Sequence, residues 1–518
     1  MLKCLTIIDS SKKDLGVVLT PPKTADYIIS QLGIIKNNQK VLDPCVGPGA
    51  FVKSLLKAGI KKTQISAYDV NLAYKTDIEE LGISFKAVDT LISFDSDCYN
   101  EFDFIVGNPP YLNKASSYVR ENRLKLKKIY GKINAHETYS MFIVNSIWRL
   151  KEGGKLGFIT SDTFLTLSTH KKLREFILKN CIINEILLAP TNLFDKQNVS
   201  TYPAIIILTK RSGDSNEQVR DNNLMSIISR IKNEAEYWKP QVVNEIKQRR
   251  YKSLPFNIFF FEVEDQIIDM FDNAPKLDKY IKGYIGMHTH NNKKFVAAIE
   301  GTELADIFRK KNYTKIKQNE KFKIVLGNDL KAERWKPYLK RGGGDQYYRP
   351  IMEALDWDEK SIPVYDIPNN VPFEKEGVVI SGISSRLAAR YMPKGCYWDS
   401  NKAIGFIAKD KSISIEYFLG LLNSSLYNYL SKGIINNTNS IQISGIHSLP
   451  FIKPNKETQE EVKVLVKQII ENKKKNLGYD YTREQKSIDD IIFNFYAVRF
   501  NFSSKLKKKL EENYAIYK

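Results

Sequence analysis

The sequence predicts an α/β protein in which a sheet with crossover helices is followed by a second, mixed α+β domain. The chain has 518 residues, which at ~100–200 residues per domain is too long for a single small module. Between residues 40 and 210, short β-branched runs alternate with helix-like stretches, as in a parallel sheet with crossover helices. Beyond about residue 245, short strands broken by Gly, Pro and Asn are followed by helices. We therefore expect two domains, 1–245 and 246–518.

The elements of the first domain are predicted from their apolar residues. Helical spacing indicates helices over Phe51–Lys57 and Phe142–Leu150. A polar stretch, Ser212–Asn223, interrupts the alternation before the expected boundary. The predicted strands are Lys40–Leu42, Ile65–Tyr68, Phe102–Val106, Lys155–Thr160, Ile183–Leu188 and Ala204–Thr209.

The second domain has predicted strands at Lys323–Val325, Val378–Ile380 and Ala403–Ala408. Its last part contains two runs of apolar residues at positions i, i+3, i+4 and i+7, which is the spacing of a helix face that packs against a core. The members of these runs are Val462, Leu465, Val466 and Ile469, and then Ile488, Ile491, Ile492 and Phe495.

The charge balance is strongly basic and favours a polyanionic partner. Lys and Arg number 79 against 59 Asp and Glu, a net charge of +20, and such a surplus attracts polyanions. Segment 301–350 has 13 basic and 6 acidic residues. Basic and aromatic residues together are typical of nucleic-acid binding. The aromatic residues of this segment include Tyr313, Trp335, Tyr338, Tyr347 and Tyr348.

Cysteine usage and hydropathy favour an intracellular protein. The five cysteines form no CxxC pair, so neither a disulfide framework nor a zinc ribbon is supported. No apolar run approaches the ~18 residues of a membrane span, and the apolar stretch at the N-terminus is too short for a signal peptide. His288 and His290 have no Cys or carboxylate ligand set near them in the sequence, so we expect polar loop residues and no metal.

A glycine-rich turn follows the first predicted strand. The segment 41–51 reads VLDPCVGPGAF, so that Asp43 ends the strand and Gly47 and Gly49 lead into a helix. Such a turn brings backbone N–H groups and a helix N-terminus close to a nucleotide-like ligand. The pattern is not GxGxxG, which argues against a pyrophosphate cofactor, and a turn of this kind is also often only a tight turn.

Two further acids follow the next strands. Asp69 ends the second predicted strand, where it can accept hydrogen bonds from both hydroxyls of a ribose, while Val70 can lie against an adenine face. Asp89 follows the third strand and can accept from an exocyclic amine. Each acid alone is equally explained as a cap or a surface residue. Together with Asp43 they predict a ligand site along one edge of the sheet.

The tetrapeptide Asn108-Pro109-Pro110-Tyr111 directly follows an apolar strand. A residue before proline is held in extended conformations, so carbonyl groups in this segment remain free as acceptors. An aromatic exocyclic amine is a poor nucleophile, and two acceptors on its hydrogens favour a more pyramidal, more nucleophilic nitrogen. The Asn108 side-chain oxygen and the Pro109 carbonyl can be these acceptors, while Tyr111 offers a ring on which a base can stack. A proline-terminated turn is the structural alternative.

With these motifs the sequence resembles the S-adenosylmethionine-dependent DNA adenine-N6 methyltransferases of the gamma motif order, in particular the Taq-type enzymes with a C-terminal specificity domain. Segment 16–22 is similar to the family's N-terminal cofactor motif, and segment 108–111 to its catalytic motif. Phe194 is placed where the family has the aromatic residue that stacks on the flipped base. For this residue, as for Phe142, an ordinary core position is the alternative. The cofactor contacts implied by the resemblance are Thr20, Pro21, Asp43, Cys45, Gly47, Gly49, Asp69, Val70, Asp89 and Phe142.

The resemblance implies a Rossmann-like methyltransferase sheet in 1–245 and a DNA target-recognition domain in 246–518. It further implies S-adenosyl-L-methionine as cofactor, double-stranded DNA as partner, base flipping, and a cytoplasmic location in a bacterium or archaeon. A separate restriction endonuclease of the same restriction-modification system is a further candidate partner, since we expect no fused nuclease: no Asp…Glu-x-Lys arrangement precedes Gly16. Thr90 departs from the pattern, because Taq-type enzymes have an aromatic residue there.

Two other functions use related chemistry. An Asn-Pro-Pro-Tyr motif with the same chemistry is used by methyltransferases that act on a glutamine side chain of a translation factor or on an RNA base. Glutamine methylases of that type are short and lack a large basic C-terminal half, which argues against this alternative. A non-catalytic DNA-binding protein on a decayed methylase fold would require broken motifs, and here they are intact.

Overall fold

The computed structural model describes residues 18–131, 133, 137–197, 202–314, 322–331, 334–400, 402–435 and 439–516. The chain divides into two compact units, Met1–Glu262 and Val263–Lys518, called here the N-terminal unit and the C-terminal unit. None of the described helices combines the length and the apolar composition that crossing a membrane requires.

The described part of the N-terminal unit is built on one large sheet with strand order β3-β2-β1-β4-β5-β7-β6-β8-β9. Its strands are β1 Val41–Asp43, β2 Ile65–Asp69, β3 Phe85–Ala87, β4 Phe102–Gly107, β5 Leu150–Ser161, β6 Cys181–Leu188, β7 Pro203–Lys210, β8 Leu224–Ser229 and β9 Val242–Lys247. Its α-helices are α1 Pro22–Gln31, α2 Ala50–Lys57, α3 Lys75–Glu80, α4 Ser117–Glu121, α5 Arg123–Tyr130, α6 Thr138–Arg149, α7 Thr163–Thr166, α8 Lys171–Asn180 and α9 Glu217–Asn222.

Strands β1 to β5 are parallel to one another. The chain adds β2 and β3 on one side of β1 and then continues with β4 on its other side. Strand β1 pairs with β2 on one side and with β4 on the other. In open α/β sheets, ligands bind outside the carboxyl ends of the strands at such a switch point. The order β3-β2-β1-β4 therefore brings the residues that follow these four strands to one edge of the sheet.

The α/β fold class predicted from the sequence is confirmed, and each predicted strand of this unit exists, with ends that differ by a few residues. The expectation of a purely parallel sheet is wrong for its second half. Strand β7 lies between β5 and β6 and is antiparallel to both, and β9 is antiparallel to β8. Period-two apolar patterns identify a strand without giving its direction, which explains the difference.

The division between the units falls at residues 262 and 263, later than the expected 245. A boundary at 245 would cut through β9, which pairs with β8 from Leu224↔Lys247 to Ser229↔Val242. Beyond β9, the Phe259 N–H donates to the Leu165 carbonyl at 2.8 Å, and Arg174 Nη2 donates to the Phe256 carbonyl at 2.9 Å. These contacts make residues 246–262 part of the N-terminal unit.

The described part of the C-terminal unit contains two smaller sheets, with strand orders β10-β18-β15-β16 and β12-β11-β14-β13-β17. The strands are β10 Ile281–Tyr284, β11 Val296–Ile299, β12 Ile324–Val325, β13 Trp335–Leu339, β14 Glu353–Asp356, β15 Gly377–Ser381, β16 Ala389–Met392, β17 Tyr397–Trp398 and β18 Ala403–Ala408. The α-helices are α10 Asp265–Asn273, α11 Asn292–Phe295, α12 Glu303–Thr314, α13 Ile415–Asn423, α14 Ser425–Asn428, α15 Ile443–His447, α16 Lys456–Lys475, α17 Thr482–Phe500 and α18 Ser504–Ile516.

The mixed α+β character and the two late helices predicted for this part of the chain are confirmed. In α16, Val462 and Val466 are buried, and in α17 so are Ile488 and Ile492. Gly420 in α13 permits the close packing of α13 on α16, because a Cβ atom at this position would lie 2.4 Å from Val462 Cγ1. The predicted apolar faces are thus packing faces.

Candidate active site at the carboxyl edge of the sheet

A cavity of about 330 Å³ lies at the carboxyl ends of β1 to β4 in the N-terminal unit. Its volume is within the ~300–1,000 Å³ of small-molecule sites. Of the residues selected from the sequence, Thr20, Cys45, Gly47, Asp69, Val70, Asp89, Asn108, Pro110 and Phe142 line it. Pro21, Asp43, Gly49, Pro109, Tyr111 and Phe194 do not belong to its lining. Gly16 and Val17, from the N-terminal motif, lie outside the described residues.

Residues of the turn between β1 and α2 line the cavity. Gly47 and Gly49 have positive φ angles of 49° and 85°, a region that favours glycine. At Gly49 a side chain would also collide, since a Cβ atom there would lie 2.8 Å from Ile78 Cδ1. The N–H of Gly47 donates to Asp69 Oδ2 at 2.9 Å, which ties the turn to the end of β2.

Asp43, at the end of β1, is 1% exposed and has one free carboxylate oxygen. Its Oδ1 accepts from the Cys45 N–H at 3.2 Å, whereas no described protein group hydrogen-bonds Oδ2. Burial, with a smaller contribution from the charge of Asp69, raises the pKa of Asp43 to about 8. An acceptor without a partner in a low-dielectric environment favours a ligand that brings a donor or a positive charge.

Asp69 is held at the end of β2 by backbone donors. Its Oδ1 accepts from the Asn71 N–H at 2.8 Å, and its Oδ2 from Gly47. Burial raises the pKa of Asp69, and the N–H donors around it act in the opposite direction. Each oxygen retains a second lone pair, so the carboxylate can accept two further hydrogen bonds from a vicinal diol. The side chain of Val70 beside it is 43% exposed.

Asp89 caps the turn after β3 and is paired with a tyrosine that sequence reasoning missed. Its Oδ1 accepts from the Leu91 N–H at 3.0 Å, and the Tyr118 hydroxyl lies 3.0 Å from both carboxylate oxygens. Tyr118, from α4, also lines the cavity. Tyr118 thus supplies an aromatic ring to the cavity. Thr90, which stands where Taq-type enzymes have an aromatic residue, is buried, and its hydroxyl donates to the Pro44 carbonyl. Tyr118 stands in a polar segment without a motif, so no sequence signal identified it.

The side chain of Asn108, just after β4, is oriented by three hydrogen bonds. Its Nδ2 donates to the Val18 carbonyl at 2.9 Å and to Thr20 Oγ1 at 3.0 Å. These two acceptors fix the amide so that Oδ1 is on the other side, where it accepts from the Tyr111 hydroxyl at 2.8 Å. Burial raises the pKa of Tyr111 well above its usual range, so the phenol is protonated and acts as the donor.

The loop of the Asn-Pro-Pro-Tyr motif is anchored by Thr138 at the start of α6. The Thr138 hydroxyl donates to the Pro110 carbonyl and accepts from the Leu112 N–H, and the Thr138 N–H donates to the Leu112 carbonyl. No described group donates to the carbonyl of Pro109. Oδ1 of Asn108 and this carbonyl are thus the acceptors that the motif presents, and Phe142, one turn further along α6, reaches the cavity.

Phe194, at the family's base-stacking position, lies in the apolar core of the N-terminal unit. Its ring is 1% exposed and belongs to the apolar core, and Tyr111 packs against the same cluster. Just beyond it, the Gln197 side chain accepts from the Leu19 N–H and donates to the Leu19 carbonyl. A stacking role for Phe194 stays a prediction that requires the ring to leave this position. Residues 198–201 of the following loop lie outside the described residues.

The two loop histidines belong to the C-terminal unit and have a carboxylate beside them. No carboxylate lies near them in the sequence, but the structure brings Asp366 beside His288 through an isolated antiparallel bridge. Asp366 is distant in sequence, so a search for neighbouring ligands could not find it.

Comparisons with known proteins agree with this architecture. Residues 41–194 match the family model described as Eco57I restriction-modification methylase, and residues 322–451 match the model described as TaqI-like C-terminal specificity domain. The Type II methyltransferase M.HincII of Haemophilus influenzae is 31% identical over 185 residues, which cover 35% of this chain and 35% of that protein. The chain thus matches about a third of the length of this relative.

Two further similarities extend over most of the chain. The adenine-specific methyltransferase BrxX of Escherichia coli O9:H4 (strain HS) is 21% identical over 432 residues, which cover 79% of this chain and 33% of that protein. The Type IIL restriction-modification enzyme MmeI, solved in complex with DNA, has a TM-score of 0.56 and 12% identity, and the match covers 93% of this chain and 75% of that one. The likeness to MmeI shows the fold. The expected resemblance to the Taq-type enzymes is confirmed, because a restriction-modification methylase match lies in the N-terminal unit and a TaqI-like specificity-domain match lies in the C-terminal unit.

Proposed function

We propose that the chain transfers a methyl group from S-adenosyl-L-methionine to adenine N6 in duplex DNA, with the target base flipped out of the helix. The observation that carries this proposal is the orientation of Asn108 beside the cavity. Its Nδ2 donates to the Val18 carbonyl and to Thr20 Oγ1, so that Oδ1 is the atom of the amide that can accept from a target amine. The similarity to BrxX, an adenine-specific methyltransferase, supports adenine as the target.

The cavity suits S-adenosyl-L-methionine by the chemistry of its acids. Asp69 would accept from the two ribose hydroxyls, and Asp89 from the adenine amino group of the cofactor. Asp43 does not line the cavity, but its buried carboxyl group, with Oδ2 unpartnered, would act on the positively charged part of the ligand through its charge. Thr20, Val70, Tyr118 and Phe142 add apolar and hydroxyl contacts. When bound, this cofactor supplies an electrophilic methyl group on a sulfonium.

The residues of the catalytic motif would act on the target amine. Asn108 Oδ1 and the Pro109 carbonyl accept hydrogen bonds from its two N–H groups. These bonds localise the nitrogen lone pair that attacks the methyl carbon. The N–C bond forms as the C–S bond breaks, and the amine afterwards loses one proton to solvent. No general base is needed, and most of the acceleration comes from positioning.

We assign catalysis and cofactor binding to the N-terminal unit and recognition of the DNA sequence to the C-terminal unit. The 13 basic and 6 acidic residues of segment 301–350 and the specificity-domain match at residues 322–451 support this assignment. Extrusion of a paired base costs a few kcal/mol, which contacts to phosphates and stacking by Tyr111 would offset. Because the substrate is DNA, we place the protein in the cytoplasm of its bacterial or archaeal host, alongside a separate restriction endonuclease.

The test is methyl transfer to unmodified genomic DNA, followed by mass spectrometry of the released nucleosides. We expect N6-methyladenine with the intact protein and none with Asn108→Ala. Asn113→Ala is the matched control, because Asn113 caps a nearby turn with a bond to the Ala115 N–H and should leave the product unchanged. Methylation of a glutamine side chain or of RNA, with none on DNA, would contradict the proposal.

A further inference from the structure

Three side chains with metal-binding atoms come together in the C-terminal unit, in a place that the methyl-transfer chemistry does not use. They are His288, His290 and Asp366, and one ligand atom from each lies within 4.8 Å of the others. His290 Nε2 is 2.9 Å from Asp366 Oδ2. The two imidazole rings are nearly perpendicular, at 84°, with centroids 4.6 Å apart.

The backbone holds two of the three residues in register. The N–H of His288 donates to the Asp366 carbonyl and the N–H of Asp366 to the His288 carbonyl, each at 3.0 Å. In an antiparallel bridge of this kind, the two side chains project from the same side of the ribbon. The two segments are therefore joined before any ligand binds.

The third residue has an unusual backbone conformation. His290 has a φ angle of +56°, in the left-handed region that costs a residue with a side chain of its size some free energy. Its contact with Asp366 does not compensate, because both side chains are half-exposed or more, at 50% and 75%, and exposed ion pairs contribute little to stability. Strain of this kind at a polar cluster is typical of ligand-binding positions.

We propose that His288, His290 and Asp366 form a binding site for a divalent transition-metal ion of the Zn²⁺ class. Imidazole nitrogens and a carboxylate oxygen are ligands of this ion, and three protein ligands leave a fourth position open to solvent. A tetrahedral ion with bonds of ~2.1 Å requires ligand atoms about 3.4 Å apart. The three ligand atoms already lie within 4.8 Å of one another, and all three residues are exposed.

The experiment is a titration of the full-length, chelator-treated protein with Zn²⁺ in competition with a chromophoric chelator. We expect one equivalent of Zn²⁺ per chain, with affinity at least about tenfold lower in His288→Ala, His290→Gly and Asp366→Asn. Glycine at 290 keeps the positive φ angle, so this variant should fold. Glu359→Gln, which changes an exposed acid of the same unit, is the matched control and should bind as the intact protein does.

Binding through cysteine thiolates is separated by the spectrum of the Co²⁺-loaded protein. Ligation by nitrogen and oxygen gives ligand-field bands without the intense thiolate charge-transfer band. That spectrum, lost in the three variants, would support the site. The proposal is overturned if the intact protein binds no Zn²⁺, if the three variants bind it unchanged, or if the Co²⁺ spectrum shows thiolate ligation.

Discussion

The hydroxyl of Tyr111 donates a 2.8 Å hydrogen bond to Asn108 Oδ1, the oxygen that we assign to the target amine. One of the two lone pairs of this oxygen is thus already used in this conformation. The amine of a flipped adenine must share the oxygen with the hydroxyl or displace it, while the ring of Tyr111 remains available for stacking. The same tyrosine therefore has two opposed contributions to base binding.

The first prediction separates these contributions with Tyr111→Phe. This variant keeps the ring and removes the competing donor, so it should bind the flipped base about two- to tenfold more tightly, which corresponds to ~0.5–1.5 kcal/mol for one hydrogen bond. The measurement is a fluorescence titration with 2-aminopurine at the target position. Tyr118→Phe is the control, since its hydroxyl contacts Asp89 and should affect the cofactor instead. Weaker base binding by Tyr111→Phe would show that the hydroxyl assists the bound state.

The site was more predictable than the sheet that carries it. Asp43, Asp69, Asp89 and Asn108 each follow a strand, and the alternation of strands and helices brings strand ends to one edge, so sequence order was enough to group them. Tyr118 joins them from a short helix in a polar segment, and its position depends on tertiary packing alone. The direction of β7 and the inclusion of β9 likewise depend on which neighbour each strand pairs with.

The second prediction concerns the length of the N-terminal unit. A chain that ends at Glu262 should fold and bind the cofactor, whereas one that ends at Glu245 should unfold at a lower temperature. The shorter chain loses the last two residues of β9 and the buried ring of Tyr251, and it leaves Leu224 and Met225 of β8 without their strand partners. Thermal melts of both fragments measure this difference. Equal melting temperatures would show that residues 246–262 contribute nothing to this unit.

The third prediction follows from the buried carboxyl group of Asp43. Its pKa of about 8 means that it is largely protonated at neutral pH, and a bound cation should lower this pKa. Binding of S-adenosyl-L-methionine at pH 7 should therefore release a proton, and in Asp43→Asn this release should disappear. Calorimetry in two buffers of different ionisation enthalpy measures it. Equal proton release in the variant would assign the proton to another group.

Asp43 also affects stability, with a definite sign. Because its pKa is higher in the folded protein than the ordinary 3.8, the folded state holds the proton more tightly. This contribution destabilises the fold progressively as pH rises from about 4 to about 8. Asp43→Asn should therefore be more stable than the intact protein at pH 8 to 9, as measured by urea unfolding, while it binds the cofactor less tightly.

The fourth prediction concerns His170, which is linked through Tyr139 to the loop of the Asn-Pro-Pro-Tyr motif. Its ring is buried, with Nε2 2.9 Å from the Tyr139 hydroxyl, and Tyr139 contacts the ring of Tyr111. Burial lowers the pKa of His170 to about 3. The unfolded chain takes up a proton below about pH 6.5, so stability should fall as pH decreases from 6.5 towards 3, by ~2 kcal/mol at pH 5. His170→Gln should lack this component in urea unfolding at pH 7 and 5, and an unchanged pH dependence would contradict the assignment.

The last prediction tests whether Phe194 stacks on the flipped base although it is 1% exposed. Phe194→Ala would remove a buried ring at a cost of ~3–5 kcal/mol in stability, which would mask any effect on DNA. Phe194→Leu retains most of the volume and removes only the aromatic face. If Phe194 stacks, this variant should bind normal duplex more weakly by ~1–3 kcal/mol, and the defect should shrink when the target adenine is mispaired, because an unpaired base costs less to extrude.

Phe259→Leu is the matched control for this variant, since Phe259 is equally buried but stacks on Tyr251, within the core of the same unit. We expect the loss of stability in the two leucine variants to be similar, and the loss of flipping, read from 2-aminopurine fluorescence, to be confined to Phe194→Leu. This result would mean that the ring leaves the core when the base enters, and that the loop after Phe194 moves with it. If both variants bind normal and mispaired duplexes equally well, Phe194 is a core residue, and Tyr111 is left as the aromatic residue of the catalytic motif that contacts the base.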